Sequence, residues 1–317
     1  MPSLIKRILY FKIFKAEINY RKLNPRHWKR WSFKKIVKGL AYFIIFLGAL
    51  IIVKEEASFQ FGWGYYSSDY DLSYEEDYSE TEDGSECNVY GLELRGDLVT
   101  YISADSLAAD GSLLYEETAS EYIVGAIREA EEDETVKAIL LEIDSYGGYP
   151  VAAEEVANAL KQAKKPTVAL IRGAATSAAY WSATGADIIF ASPLSDVGGI
   201  GVTMSYLDNS QKNAREGLTY NSLSVGRFKD YGDPDKPLTQ EERQLIMRDL
   251  EITHEAFIKA VSENRGLPLE RVESLADGSS MMGRMALENG LIDRLGGDRE
   301  VQEYLKEKLG EEIDVCW

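Results

Sequence analysis

The sequence predicts an α/β domain with largely parallel strands. Two apolar runs of strand length, residues 136–143 and 167–171, are aliphatic almost throughout, as strands buried on both faces are. Helix-periodic segments lie between and around them, so strands and helices alternate from residue 88 to residue 297. Glycine follows the strands at Gly147-Gly148 and Gly173, where a chain leaving a sheet has to turn.

Taken in order, residues 89–94 alternate like a strand and lead into a turn at Arg95-Gly96-Asp97. Residues 118–132 form an amphipathic helix, with Tyr122, Ile123, Ala126 and Ile127 on one face. The strand at 136–143 ends at Asp144-Ser145-Tyr146-Gly147-Gly148, and a second helix covers 152–164. Lys165-Pro166 starts the strand at 167–171, and small and aromatic residues over 178–183 suit a short buried helix. A short strand follows at 188–191, and the glycine-rich run 198–202 turns into one more. Thr239 and Glu242 make a capping box for a long helix over 238–264. Residues 283–297 add a helix, a turn at Asn289-Gly290 and a short strand at 291–293.

The charge is unevenly spread. The chain of 317 residues holds 35 Lys plus Arg and 53 Asp plus Glu. Residues 1–38 take 12 of the bases and one acid, Glu17, which leaves 23 bases and 52 acids, net −29, for the rest. An acidic body repels phosphate, so the pattern excludes nucleic-acid binding by that body. A basic arm before it fits an anionic membrane surface. Residues 36–53 are apolar apart from Lys38, short but workable for a spanning helix if Lys38 reaches the interface. The expected organisation is a basic arm (1–35), a transmembrane anchor (36–53), an acidic tyrosine-rich linker (54–87) and a catalytic body (88–317). The positive-inside rule puts the N-terminus in the cytoplasm and the body on the extracytoplasmic side. Cys87 and Cys316 are too few for a metal site, and two free thiols are the expectation, with a bridge between them as the alternative.

The chemistry centres on the run from Arg172 to Trp181. A strand, a glycine, small residues, Ser177 and a helix follow one another, which lifts a hydroxyl clear of the sheet at a helix N-terminus. Unpaired amides and the helix dipole favour developing negative charge there. Gly147-Gly148 is a candidate to present backbone amides to a substrate carbonyl. The base is the discriminating residue. Of the two histidines, His27 lies in the basic arm and His254 inside the long helix, so a Ser-His-Asp triad is poorly supported. A lysine can serve when its surroundings favour the neutral amine. Lys229, among glycines and aromatics at 224–232, is the best candidate, with Lys212 and Lys236 behind it.

Five blocks in this order resemble the signal peptide peptidase A family of membrane-anchored serine peptidases, in its short form. They are Asp144-Ser145-Tyr146-Gly147-Gly148, the segment 175–181 around Ser177, the segment 196–202, Gly226-Arg227-Phe228-Lys229-Asp230, and the closing segment 283–293. The resemblance implies a Clp-protease-like (crotonase-like) fold of repeated β-β-α units. It implies that Ser177 attacks the scissile carbonyl, that Lys229 takes its proton, and that amides of Gly147, Gly148 and Ala178 bind the oxyanion. It implies a homo-oligomeric ring in which neighbouring copies share serine and lysine. The implied substrates are remnant signal peptides or other hydrophobic membrane-associated peptides, cut without metal, ATP or cofactor. Asp144 and Tyr146 stand where the family has Asn and Pro, and Ala178 and Ala179 stand for paired glycines. An alanine at 178 is a handicap only if its φ must be positive. A catalytically silent, ring-forming membrane scaffold of the same fold is the second reading, and an acyl-CoA enzyme of the crotonase type the third. A lysine base predicts activity that rises into the alkaline range.

Overall fold

The computed structural model describes residues 87–108 and 112–317, all within the unit that runs from Thr81 to Trp317. The basic arm, the expected anchor at 36–53 and the linker as far as residue 86 lie outside the described residues. Among the described residues no helix is long and apolar enough to cross a membrane.

The described chain is an α/β fold around one sheet. Its strands are β1 (Val89–Val99), β2 (Glu117–Ala119), β3 (Ala138–Gly148), β4 (Thr167–Thr176), β5 (Ile188–Ala191), β6 (Asp196–Gly198), β7 (Ser280–Met282), β8 (Arg294–Leu295) and β9 (Val315–Cys316). The main order is β2-β1-β3-β4-β5-β8, with β6 beside the end of β4 and β9 beside the start of β1. Every pair is parallel except β6 with β7. The aliphatic runs explain the centre: Ile139, Leu140, Leu141 and Ile143 of β3 are buried on both faces of the sheet.

One face is covered by α1 (Ser120–Glu132) and α2 (Pro150–Gln162), which bury Ile123, Ile127, Val156 and Leu160 against Leu92, Leu94 and Ile143. The short helix α3 (Ala178–Ala183) leaves β4 and is buried throughout. Between β6 and β7 lie α4 (Ser210–Arg215), the long α5 (Gln240–Arg265) and α6 (Leu269–Glu273). The Thr239–Glu242 capping box starts α5, and Gly266 ends it in the left-handed conformation. A short α7 (Gly283–Glu288) follows β7, and α8 (Asp298–Leu309) covers the other face through Val301 and Leu305, packed on Leu140, Val168, Leu170 and Phe190.

Several expected boundaries shift. The first strand does not stop at Leu94 but continues to Val99. The register slips between Arg95 and Asp97, and Gly96 takes φ 63° where a Cβ would lie 1.8 Å from the Glu116 carbonyl oxygen. Gly96 is therefore a bulge inside a strand rather than a turn. The strand expected at 291–293 is instead Arg294–Leu295. The expectation of free thiols is overturned, because Cys87 and Cys316 form a disulfide. Pairing of β9 with the first residues of β1 brings the two together.

Candidate active site

Ser177 stands between the end of β4 and the first residue of α3, and its conformation is unusual. It has φ 53° and ψ −127°, and it is the one non-glycine residue with positive φ among the described residues. An L-residue in this region is strained, and such strain persists only where the surroundings hold it. The Ser177 amide donates to the Gly198 carbonyl at 2.8 Å, and the Ser177 carbonyl accepts from the Trp181 amide at 3.0 Å. Just before it, the Thr176 hydroxyl donates to the Tyr146 carbonyl at 2.9 Å. These bonds tie the serine turn to β6, to α3 and to the end of β3. The turn leaves the Ser177 hydroxyl without a hydrogen-bond partner among the described residues.

Positive φ falls on Ser177 and not on Ala178, which is the first helical residue. Ala178 and Ala179 therefore cost nothing in backbone strain. As first residue of α3, Ala178 has an amide with no acceptor inside the helix.

The glycine pair at the end of β3 lies against the serine. A Cβ on Gly147 would come within 2.9 Å of the Ser177 Cβ and 3.3 Å of its Oγ. The amide of Gly147 itself donates to the Ser145 hydroxyl at 3.1 Å, which withdraws it from the expected oxyanion donors and leaves Gly148 and Ala178. Ser145 is buried, and its hydroxyl donates in turn to the Gly96 carbonyl at 2.6 Å. Sequence reasoning assigned Ser145 no role. A short hydroxyl residue just before a Gly-Gly turn is the signal that marks it. Asp144, at the family's Asn position, accepts from the Ala174 amide at 3.0 Å, so it still links β3 to β4.

Ser177 opens on a cleft of about 560 Å³. Tyr146 and Pro150 line it near the glycine turn, and Trp181 and Phe257 line it deeper. Trp181 and Phe257 stack with centroids 4.9 Å apart and planes 10° from parallel, which joins α3 to α5. Tyr180, on the other side of α3, is buried, and its hydroxyl donates to the Leu291 carbonyl at 2.9 Å. Burial raises its pKa, so it stays a neutral tether.

Lys229 is exposed in a turn closed by its amide on the Gly226 carbonyl at 3.1 Å. Its ammonium makes no hydrogen bond or ion pair among the described residues, and it does not line the cleft of its own chain. Lys236 is held by the Glu242 carboxylate and lies 3.5 Å from Asp230. The hydrogen bond to Glu242 raises its pKa, the wrong direction for a base. Lys212 is exposed on α4. His254 is partly buried, and its Nε2 has no partner among the described residues. His27 lies outside the described residues. Among the described residues no cluster of His, Cys, Asp and Glu could hold a metal ion.

Residues 159–312 match the model of peptidase family S49. A putative protease of Methanocaldococcus jannaschii is 30% identical over 212 residues, 66% of this chain and 68% of that protein. A putative signal peptide peptidase SppA of Enterococcus faecium is 31% identical over 185 residues, 57% of this chain and 54% of that one. Protease 4 of Haemophilus influenzae is 25% identical over 69% of this chain, which spans 36% of that longer protein. Among solved structures, a mutant of ClpP1 from Listeria monocytogenes matches with a TM-score of 0.43 at 12% identity, covering 66% of this chain and 92% of that one. A mutant of the 1510-N membrane-bound stomatin-specific protease matches with a TM-score of 0.45 at 18% identity, covering 73% and 88%. The chain thus belongs to peptidase family S49, whose members are serine-type peptidases.

Proposed function

We propose that the protein is a membrane-anchored serine endopeptidase that cuts remnant signal peptides or other hydrophobic, membrane-associated peptides, with Ser177 as nucleophile and Lys229 as base. The observation that carries this reading is the strained backbone of Ser177, held at the mouth of a cleft by partners on three elements. In the first step Ser177 Oγ bonds to the scissile carbonyl carbon and its proton passes to Lys229 Nζ. The oxyanion is bound by the amides of Gly148 and Ala178. Collapse breaks the C–N bond, the lysine returns the proton to the leaving amine, and water then hydrolyses the ester by the same route.

Lys229 is exposed and has no partner among the described residues, as a base delivered to the cleft of a neighbouring copy would be. A ring in which copies exchange this lysine accounts for both halves of the site. The disulfide supports placing the body on the extracytoplasmic side, since such bonds persist in oxidising compartments. The absence of Lys229 from the lining of its own cleft also favours the second reading, a silent scaffold, if no copy supplies the lysine.

The test is cleavage of a signal-peptide-like substrate by the detergent-solubilised protein, beside Ser177→Ala and Lys229→Ala. Each variant alone should be inactive, and a co-assembled mixture of the two should regain part of the activity. Wild-type protein that neither cuts nor takes a fluorophosphonate label at Ser177 would establish the scaffold reading instead.

A further inference from the structure

We propose that Asp196 selects peptides with a lysine or arginine within a residue or two of the bond cut at Ser177, an inference that rests on the reading of Ser177 as the nucleophile. Asp196 is the one charged residue among those lining the cleft; the others are glycines, small polar residues, aliphatics and aromatics. Its carboxylate has no ion pair or side-chain hydrogen bond among the described residues. The other carboxylates near the sheet ends are engaged differently: Glu142 pairs with Arg172 at 2.6 Å and Asp144 accepts an amide at 3.0 Å.

The placement of Asp196 follows from β6. Its register puts Asp196 beside Ala174 and Gly198 beside Thr176, and the Gly198 carbonyl holds the Ser177 amide at 2.8 Å. Asp196 is thus two strand residues, about 7 Å of rise, from the residue that pins the nucleophile. A side chain next to the scissile carbonyl spans that distance if it is as long as lysine or arginine.

A peptide that fills the cleft strips water from the carboxylate. An apolar or acidic neighbour leaves that charge unpaired or repelled, whereas an ammonium or guanidinium pairs with it. The discrimination is therefore partly repulsive. A mainly apolar peptide with a basic residue near the cut would satisfy both the Trp181–Phe257 part of the cleft and Asp196. Such composition occurs where a basic segment meets an apolar one.

The test uses the full chain in detergent as Ser177→Ala, so that binding is read without turnover. Two fluorescein-labelled apolar peptides, identical except for a central lysine or norleucine, are titrated by anisotropy. The lysine peptide should bind about fivefold tighter, as one partly exposed charge pair gives. The preference should shrink with added salt, vanish in Ser177→Ala/Asp196→Asn and persist in Ser177→Ala/Asp196→Glu. Equal affinity for the two peptides, or a preference that survives Asp196→Asn, overturns the proposal. Fluorophosphonate labelling of wild type separates this outcome from the parent reading. Selective binding without labelling removes the peptidase reading alone, and labelling without selectivity removes the role of Asp196 alone.

Discussion

The hydroxyl of Ser145 accepts the Gly147 amide at 3.1 Å while donating to the Gly96 carbonyl at 2.6 Å. One buried side chain thus fastens the glycine turn beside the nucleophile to the bulge in β1. Ser145→Ala leaves the Gly147 amide buried without an acceptor, which costs about 1–3 kcal/mol. A urea titration should show that loss, and fluorophosphonate labelling of Ser177 should slow even where the variant is fully folded.

Gly147→Ala attacks the same turn from the other side. Its φ of 134° is unfavourable for alanine, and the new methyl would lie 2.9 Å from the Ser177 Cβ. The strain alone is of order 1–3 kcal/mol. Labelling at Ser177 should fall to background, whereas Gly217→Ala, at a positive φ with open space around it, should lose some stability and keep full labelling.

The disulfide spans 229 residues of sequence. Replacing both Cys87 and Cys316 with serine should lower stability by about 2–4 kcal/mol through the freer unfolded chain. Guanidinium melts with and without reductant check this: wild type should lose that amount when reduced, and the double variant should not respond.

Glu242 links acid stability to the turn that carries Lys229. The hydrogen bond from Lys236, followed by that from the Thr239 amide, lowers its pKa below the ordinary 4.5. A depressed carboxylate stabilises the fold above its unfolded pKa, and that contribution disappears as pH falls through 4.5 and then through the lower folded value. The partner shift has the opposite sense: the raised pKa of Lys236 contributes at all pH below its unfolded value and fails only in strong alkali. Wild type should exceed Glu242→Gln in melting temperature at pH 7, and the two curves should converge in acid.

Much of this was legible because it is local. The apolar run that became β3, the strand-to-helix turn at Ser177 and the Thr239–Glu242 cap each declare themselves within a few residues. What escaped depends on partners distant in sequence. Gly96 reads as a turn until Glu116 is seen to approach it, and Cys87 and Cys316 read as separate thiols until β9 joins β1. The Gly147 amide reads as free in the sequence, because a hydroxyl residue two positions before it marks a possible acceptor without fixing which way that hydroxyl turns. Lys229 is singled out by its segment, and the structure leaves it outside the lining of its own cleft.

The clasp between Cys87 and Cys316 closes residues 88–315 into a covalent ring. A cut at any one exposed loop, including the turn around Lys229, would open that ring without releasing a fragment. The body can therefore be nicked once and remain a single molecule, and separation of its parts requires a second cut or a reductant.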